Sequence, residues 1–366
     1  MTRIALLTPR FTSGDAVCND IAGMQDILSE LGHDVRIFAD GGEGDREFLA
    51  VRKLRGFIRD PSDILIYHYS IAWETALALF RELNCRKVLK YHNVTPPEFF
   101  EPYHAGIANA CRVGLTQLGE FIRAGCDLGL AASEFNSRDL IREGLPAEQT
   151  RVMAPLHRVD DLLNGEADAG ALAEFAMDYP RDFTNILMVG RLAPNKGYEN
   201  LIRAFALYRD AYNPDSRLLI VGRSDPQLDG YYRQLNELMD RLDVREDVIF
   251  TGGVTQSELK SMYLSARVFM TLSEHEGFCV PLVEAMAMKL PVIALGRAGV
   301  PETAGDGALV WNEPDPALFA ASIHRIVSDP DLAFALANRG HARFRGEFNT
   351  DRIKGDFLQA LEPLLS

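Results

Sequence analysis

The hydrophobic positions along the chain follow a repeated rhythm: a short β-rich run, then a stretch with apolar residues at helical spacing. In the first half the short runs fall at residues 4–8, 34–39, 64–68, 87–91, 128–131 and 151–154. Between the first two, Val17, Ile21, Met24, Leu28 and Leu31 recur every three or four residues, which predicts one amphipathic helix. Gly32 follows as its stop. The second half repeats the rhythm, with runs at 185–189, 218–221, 248–251, 268–272, 292–295 and 308–311. Thr255 with Glu258 reads as a capping box, and Asp329 followed by Pro330 as a cap with proline at the first helical position.

Strands alternating with helices make a parallel sheet with helices on both faces, and two such series make two doubly wound α/β domains. The stretch 164–181, rich in Ala, Gly and Asp, interrupts the rhythm and marks the junction. The expected division is 1–165 and 182–345, with a last helix in 346–366 crossing back to the first domain. Ligands of open parallel sheets bind outside the carboxyl ends of the strands, so the expected site is a cleft between the domains.

The chain has 366 residues, 47% hydrophobic and 25% charged, enough for two folded cores and unlike a disordered chain. No apolar run is long enough to span a membrane, and the N-terminus lacks a leader's cleavage pattern. The net charge of −14 is shared evenly, with 18 basic against 25 acidic residues through position 170 and 20 against 27 after it. Neither half is basic, which argues against nucleic-acid binding. Five widely spaced cysteines without a C-x-x-C suit a reducing, cytoplasmic setting and no zinc site.

Two segments carry the chemistry. In 273–286 a strand leads through Glu276, Gly277, Phe278, Cys279 and Val280 into a helix with Pro281 at its start and Glu284 two turns in. The free N–H groups of such a helix start form an anion site, and two carboxylates there can grip sugar hydroxyls. In 189–197 another strand leads through Gly190 and Arg191 to Lys196 and Gly197. Two cations at a strand's carboxyl end suit a diphosphate, although either loop alone would pass as solvated surface. The Walker A pattern is not met, and no G-x-G-x-x-G follows the first strand.

Together these segments, a G-R-x-x-x-x-K-G loop and an E-x7-E segment some eighty residues on, resemble the signature of the retaining GT-B glycosyltransferases of family 4, the glycosyl transferases group 1. Gly32–His33–Asp34–Val35 and Ala298–Gly299–Val300–Pro301–Glu302 continue the likeness over nearly the whole chain. The resemblance implies two Rossmann-like domains facing a cleft, with the donor in the second domain and the acceptor in the first. It implies transfer of a hexosyl unit from a nucleoside-diphosphate sugar to a glycan, lipid-linked or small-molecule hydroxyl, with retention and with no cofactor or metal.

By the same resemblance, Arg191 and Lys196 bind the diphosphate, Glu284 the ribose, and Glu276 the donor sugar. The amides of Gly277, Phe278 and Cys279, with Val280, bind sugar or phosphate, and Val254 lies near the base. Gly14 stands where backbone approaches the phosphate, and His92 near the anomeric carbon. Asp15, His68 and Asn93 are candidates for acceptor contact, although Asp15 equally suits a helix cap and a lone strand-end histidine is more often structural. Cys279 and the 289–291 stretch depart from the family's glycines. The first is expected to crowd or tune the sugar pocket, the second to be harmless. Arg52, Lys53, Arg55 and Arg59 fall on an expected helix whose basic face allows peripheral membrane contact, with a plain solvated face as the commoner reading. A sugar-nucleotide epimerase on the same scaffold and a catalytically silent glycan-binding protein are the competing functions.

Overall fold

The computed structural model describes residues 2–44, 46–177 and 184–365. The expected start of the second domain at 182, and the end of the expected junction at 178–181, lie outside the described residues. The chain divides into two compact units. The first comprises Met1–Glu98, Gly106–His157 and Thr350–Ser366; the second comprises Phe99–Ala105 and Arg158–Asn349. The division thus falls at His157, ahead of the expected 165, and the short helix Val159–Asn164 goes with the second unit.

The first unit holds a seven-stranded sheet of β1 (Arg3–Leu7), β2 (Asp34–Ala39), β3 (Leu49–Ala50), β4 (Ile64–Tyr69), β5 (Arg86–Tyr91), β6 (Leu128–Ala131) and β7 (Thr150–Val152). Its spatial order is β3-β2-β1-β4-β5-β6-β7, every neighbouring pair parallel. The second unit's sheet contains β8 (Thr184–Val189), β9 (Ser216–Val221), β10 (Val248–Gly252), β11 (Val268–Thr271), β12 (Val292–Leu295) and β13 (Leu309–Trp311). Its order is β10-β9-β8-β11-β12-β13, again all parallel.

Each sheet therefore grows outward from its first strand and then reverses. The switch point lies between β1 and β4 in the first sheet and between β8 and β11 in the second, and that is where such sheets take ligands. Strands buried on both faces read as continuous apolar runs, as in β4 and β9.

The helix Ala16–Glu30 turns Ile21, Met24 and Leu28 into the first core. It ends as read: Gly32 takes φ +83°, its N–H donates to Ser29 O and that of His33 to Leu28 O. The C-terminal helix Thr350–Leu365 packs Ile353, Phe357 and Leu361 into the same core. Both cap readings in the second unit hold, since Thr255 and Glu258 form the capping box and Asp329 Oδ1 accepts from Leu332 N–H.

The basic stretch is shorter than expected, a turn at Val51–Lys53 and one helical turn at Leu54–Phe57. Arg59 lies beyond it, and Arg55 is spent on Glu82 at 2.8 Å. All five cysteines are free, and among the described residues no helix is long and apolar enough to cross a membrane.

Candidate functional site

The second sheet's switch point brings the two sequence segments together. The loop after β8 and the loop after β11 are eighty residues apart in sequence but leave neighbouring strands. Asn195 joins them: its carbonyl accepts from Glu274 N–H at 2.9 Å, and its amide donates to His275 O at 3.0 Å. Lys196 Nζ then meets Glu276 Oε1 at 2.5 Å, the two side chains 17% and 12% exposed. Arg191 is exposed beside them, and the Tyr198 hydroxyl donates to Gly190 O at 2.8 Å to fix the turn. Gly197 makes the turn possible with φ +67°, and a Cβ there would collide with the Leu272 carbonyl.

The amides at 277–279 are oriented by their carbonyl partners. Glu276 O accepts from Gly299 N–H at 2.9 Å, and Phe278 O from the Thr303 hydroxyl at 2.6 Å. A trans peptide sets N–H opposite C=O, so the N–H groups of Gly277 and Cys279 point away from residues 299–303. Gly299 permits this approach, because a side chain there would strike Gly277 O. The helix Val280–Ala287 follows with Pro281 in its second position, one place later than read, where no intrahelical acceptor exists either. Its start adds a positive dipole end to Arg191 and Lys196.

Glu284 is part-buried, and burial raises its carboxyl above the usual range although the Tyr263 hydroxyl at 2.7 Å counteracts this. Tyr263 occupies Oε2, leaving Oε1 for a ligand. Val254 follows Gly252 and Gly253 at the end of β10, half-buried. Arg223, not foreseen from sequence, sits exposed at the same edge and accepts Leu192 N–H on its carbonyl at 3.0 Å.

Both departures from the family's glycines occupy left-handed backbone. Cys279 has φ +78° and caps the helix; its thiol is buried and its pKa raised, by burial first and by Glu276 next. Lys289, at φ +54°, ends the same helix. Its N–H donates to Met286 O and that of Leu290 to Ala285 O, the pairing in which glycine is usual. The substitution is therefore not free of cost. Lys289→Gly should stabilise the second unit by about 0.5–1 kcal/mol, read as a rise of a few degrees in its melting midpoint.

In the first unit the candidates separate. Gly14 lies in a turn at φ +87°, and Asp15 caps the helix by accepting Val17 N–H at 2.9 Å. Asn93, also left-handed, is buried with its amide on Asn136 Oδ1 at 2.8 Å. His68 is fully enclosed at 0% exposure, so contact with an acceptor is excluded in this conformation. Its role is internal: Nδ1 lies 3.0 Å from His92 Nε2. His92 alone of the two keeps an exposed edge.

Asp20 and Lys90, both 0% exposed, complete this cluster and were missed from sequence. Each was visible as a charge inside an apolar pattern, Asp20 between Val17 and Met24 on the helix and Lys90 between Leu89 and Tyr91 on a buried strand.

Residues 177–343 match the family described as glycosyl transferases group 1. A D-inositol 3-phosphate glycosyltransferase of Streptomyces bingchenggensis is 29% identical over 64% of this chain and 52% of its own length. An O-antigen chain mannosyltransferase of Salmonella typhimurium is 30% identical over 47% and 46%. The chain spans about half the length of these curated relatives. Among solved structures, a sucrose-phosphate synthase from Thermosynechococcus elongatus superposes with a TM-score of 0.78 at 22% identity, covering 100% of this chain and 99% of that one. Anabaena HepE, solved in complex with UDP-glucose, gives 0.75 at 18% identity, covering 99% and 100%. Residues 177–343, which hold both signature loops, thus carry the match to the glycosyl transferases group 1, and the chain, with two all-parallel Rossmann-like units, has the GT-B fold.

Proposed function

We propose that the protein moves a hexosyl unit from a nucleoside-diphosphate sugar to a hydroxyl of a glycan, lipid-linked or small-molecule acceptor, with retention and without a metal. The observation that carries this is the convergence of Lys196, Arg191 and the start of the helix Val280–Ala287 at the second sheet's switch point. Lys196 and Glu276 cancel each other in the resting site, so a diphosphate would be held by Arg191, the helix start and a Lys196 shared with its carboxylate. Glu284 Oε1 would take the ribose hydroxyls and Glu276 the sugar, and the resemblance gives His92 a place near the sugar's reacting carbon. A relative in fold that binds UDP-glucose supports the donor class.

In the reaction the bond from the anomeric carbon to the phosphate oxygen breaks as the bond to the acceptor oxygen forms on the same face. The acceptor's proton passes to the departing phosphate. The cations and amides stabilise the charge that grows there, a term usually larger than any other.

A thermal-shift screen of uridine and guanosine diphosphate sugars comes first, since a specific donor raises stability with its affinity. Transfer is then followed by NMR of the product in the presence of EDTA. A product that keeps the donor's anomeric configuration supports the reading, and an inverted one rejects retention. Conversion of the donor alone to an isomer would instead indicate an epimerase. Binding of glycan without turnover of any donor would indicate a silent binding protein.

A further inference from the structure

Beneath His92 lies a closed polar cluster built from three elements: Asp20 on the helix Ala16–Glu30, His68 in β4, and Lys90 and His92 in and just after β5. Asp20, His68 and Lys90 are wholly buried, and the His92 side chain is 8% exposed. The two imidazoles meet edge to edge, with centroids 5.2 Å apart and planes 20° apart. Asp20 Oδ2 lies 3.6 Å from His92 Nε2, 3.7 Å from Lys90 Nζ and 3.9 Å from His68 Nδ1. The remaining groups are tied to backbone, Asp20 Oδ1 accepting Leu156 N–H and Lys90 Nζ donating to Met153 O, both at 2.8 Å.

Burial and the Lys90 ammonium push the His68 pKa well below its usual range; burial, His68 and Lys90 do the same for His92. Both rings are therefore neutral near pH 7, and each has one N–H. One proton must lie between His68 Nδ1 and His92 Nε2 at 3.0 Å. If His92 donated, His68 would have to bear its own proton on Nε2. That atom is sealed from solvent and has no hydrogen-bond partner. An orphaned buried N–H is costlier than an unused lone pair, so His68 Nδ1 donates and His92 Nε2 accepts. Asp20 Oδ2 does not decide between the two, since 3.6 and 3.9 Å are both beyond hydrogen-bond reach.

We infer that His68, seated on the Asp20–Lys90 pair, locks His92 in the tautomer protonated at Nδ1, so that His92 meets its ligand as a hydrogen-bond donor and not as a base. His92 Nε2 is taken, which leaves Nδ1–H as the ring's working edge. Its partner is an oxygen with a free lone pair, a sugar hydroxyl or phosphate oxygen of the donor. This functional consequence rests on the proposed placement of His92 against the donor sugar. It also deepens that proposal, because a donating His92 cannot take the acceptor's proton, which goes to the departing phosphate. His68 acts here as a positioning residue.

The test begins on the resting protein, with nitrogen-15-labelled histidine and long-range proton–nitrogen NMR at pH 7. His92 should show a pyrrole-type Nδ1 and a pyridine-type Nε2. The reverse pattern overturns the inference whether or not any sugar nucleotide is turned over, and a failure of turnover in the wild type would overturn only the proposed function. Two variants follow. His68→Asn keeps an N–H near the place of Nδ1, whereas His68→Leu removes it.

The asparagine variant should keep the His92 pattern and hold kcat within about threefold. The leucine variant should mix the tautomers and lower kcat roughly 10–100-fold with the donor KM little changed, as expected when a tautomer is set wrongly. Equal losses in the two variants would reduce His68 to packing and sink the inference. Asp20, His68 and His92 also place one ligand atom each within 4.8 Å of one another. Stoichiometric zinc in the purified protein, lost in His68→Leu, would likewise overturn the tautomer lock.

Discussion

Lys196→Ala is expected to lower kcat/KM for the sugar-nucleotide donor by about 10²–10³-fold, the cost of removing one well-placed group from a site of developing charge. Two effects add. On the proposed function the diphosphate would lose a cation, and Glu276, only 12% exposed, loses the ammonium 2.5 Å away and would face the incoming phosphates as a bare carboxylate. The second effect is separable. Glu276→Gln in the Lys196→Ala background removes the repulsion, so donor KM should partly recover in the double variant while kcat stays low. A coupling of roughly 0.5–3 kcal/mol is usual for residues in direct contact. The orphaned carboxylate should cost about 1–2 kcal/mol of stability, small enough for kinetics on folded protein. Steady-state rates for the four members of this cycle are the measurement. If Lys196→Ala stayed within threefold of the parent, the diphosphate would not be held at this switch point.

The Lys196–Glu276 pair was legible in the sequence for a topological reason. Each residue follows a recognisable strand, and in a doubly wound sheet the first and fourth strands become neighbours, so loops eighty residues apart close on one another. The strands themselves were legible because parallel strands buried on both faces leave unbroken apolar runs. Those at 128–131 and 292–295 agree to the residue, and so does the run at 34–39, although its Arg36 faces solvent. What escaped was too short to have a period, namely Leu49–Ala50 and the two-stranded pair Arg10–Thr12 with Gly41–Glu43.

Backbone conformation escaped for another reason. Cys279 and the 289–291 stretch stood out as departures from glycine, but only the positive φ of Cys279 and Lys289 shows where glycine belongs and why the second departure is not harmless. The Asp20 cluster was passed over because pattern reading counts apolar positions and treats a charge among them as noise, when a charge kept there must have found a partner.

Asp20→Ala should be the most damaging single change in the first unit, at about 3–5 kcal/mol, the range for breaking a buried ion pair from one side. The carboxylate is 0% exposed; one oxygen accepts Leu156 N–H at 2.8 Å and the other lies 3.7 Å from Lys90 Nζ. Alanine leaves a fully buried ammonium with the Met153 carbonyl and an amide without its acceptor.

The pH dependence follows in sign from Lys90. Burial lowers its pKa, Asp20 holds it up, and without Asp20 it falls further. Between that lowered value and the unfolded lysine's value near 10.4, the unfolded chain binds the extra proton, so stability rises with pH. The deficit of Asp20→Ala should therefore shrink between pH 7 and pH 9. Asp20→Ala with Lys90→Met, which removes both charges, should recover much of the loss at pH 7.

Trp73 lies in the first unit and Trp311 in the second, so fluorescence in a Trp311→Phe background follows urea unfolding of the first unit. A loss under about 1 kcal/mol, unchanged from pH 7 to 9, would mean that Asp20 and Lys90 do not face each other as charges. The frame supporting the two histidines would then have to be neutral.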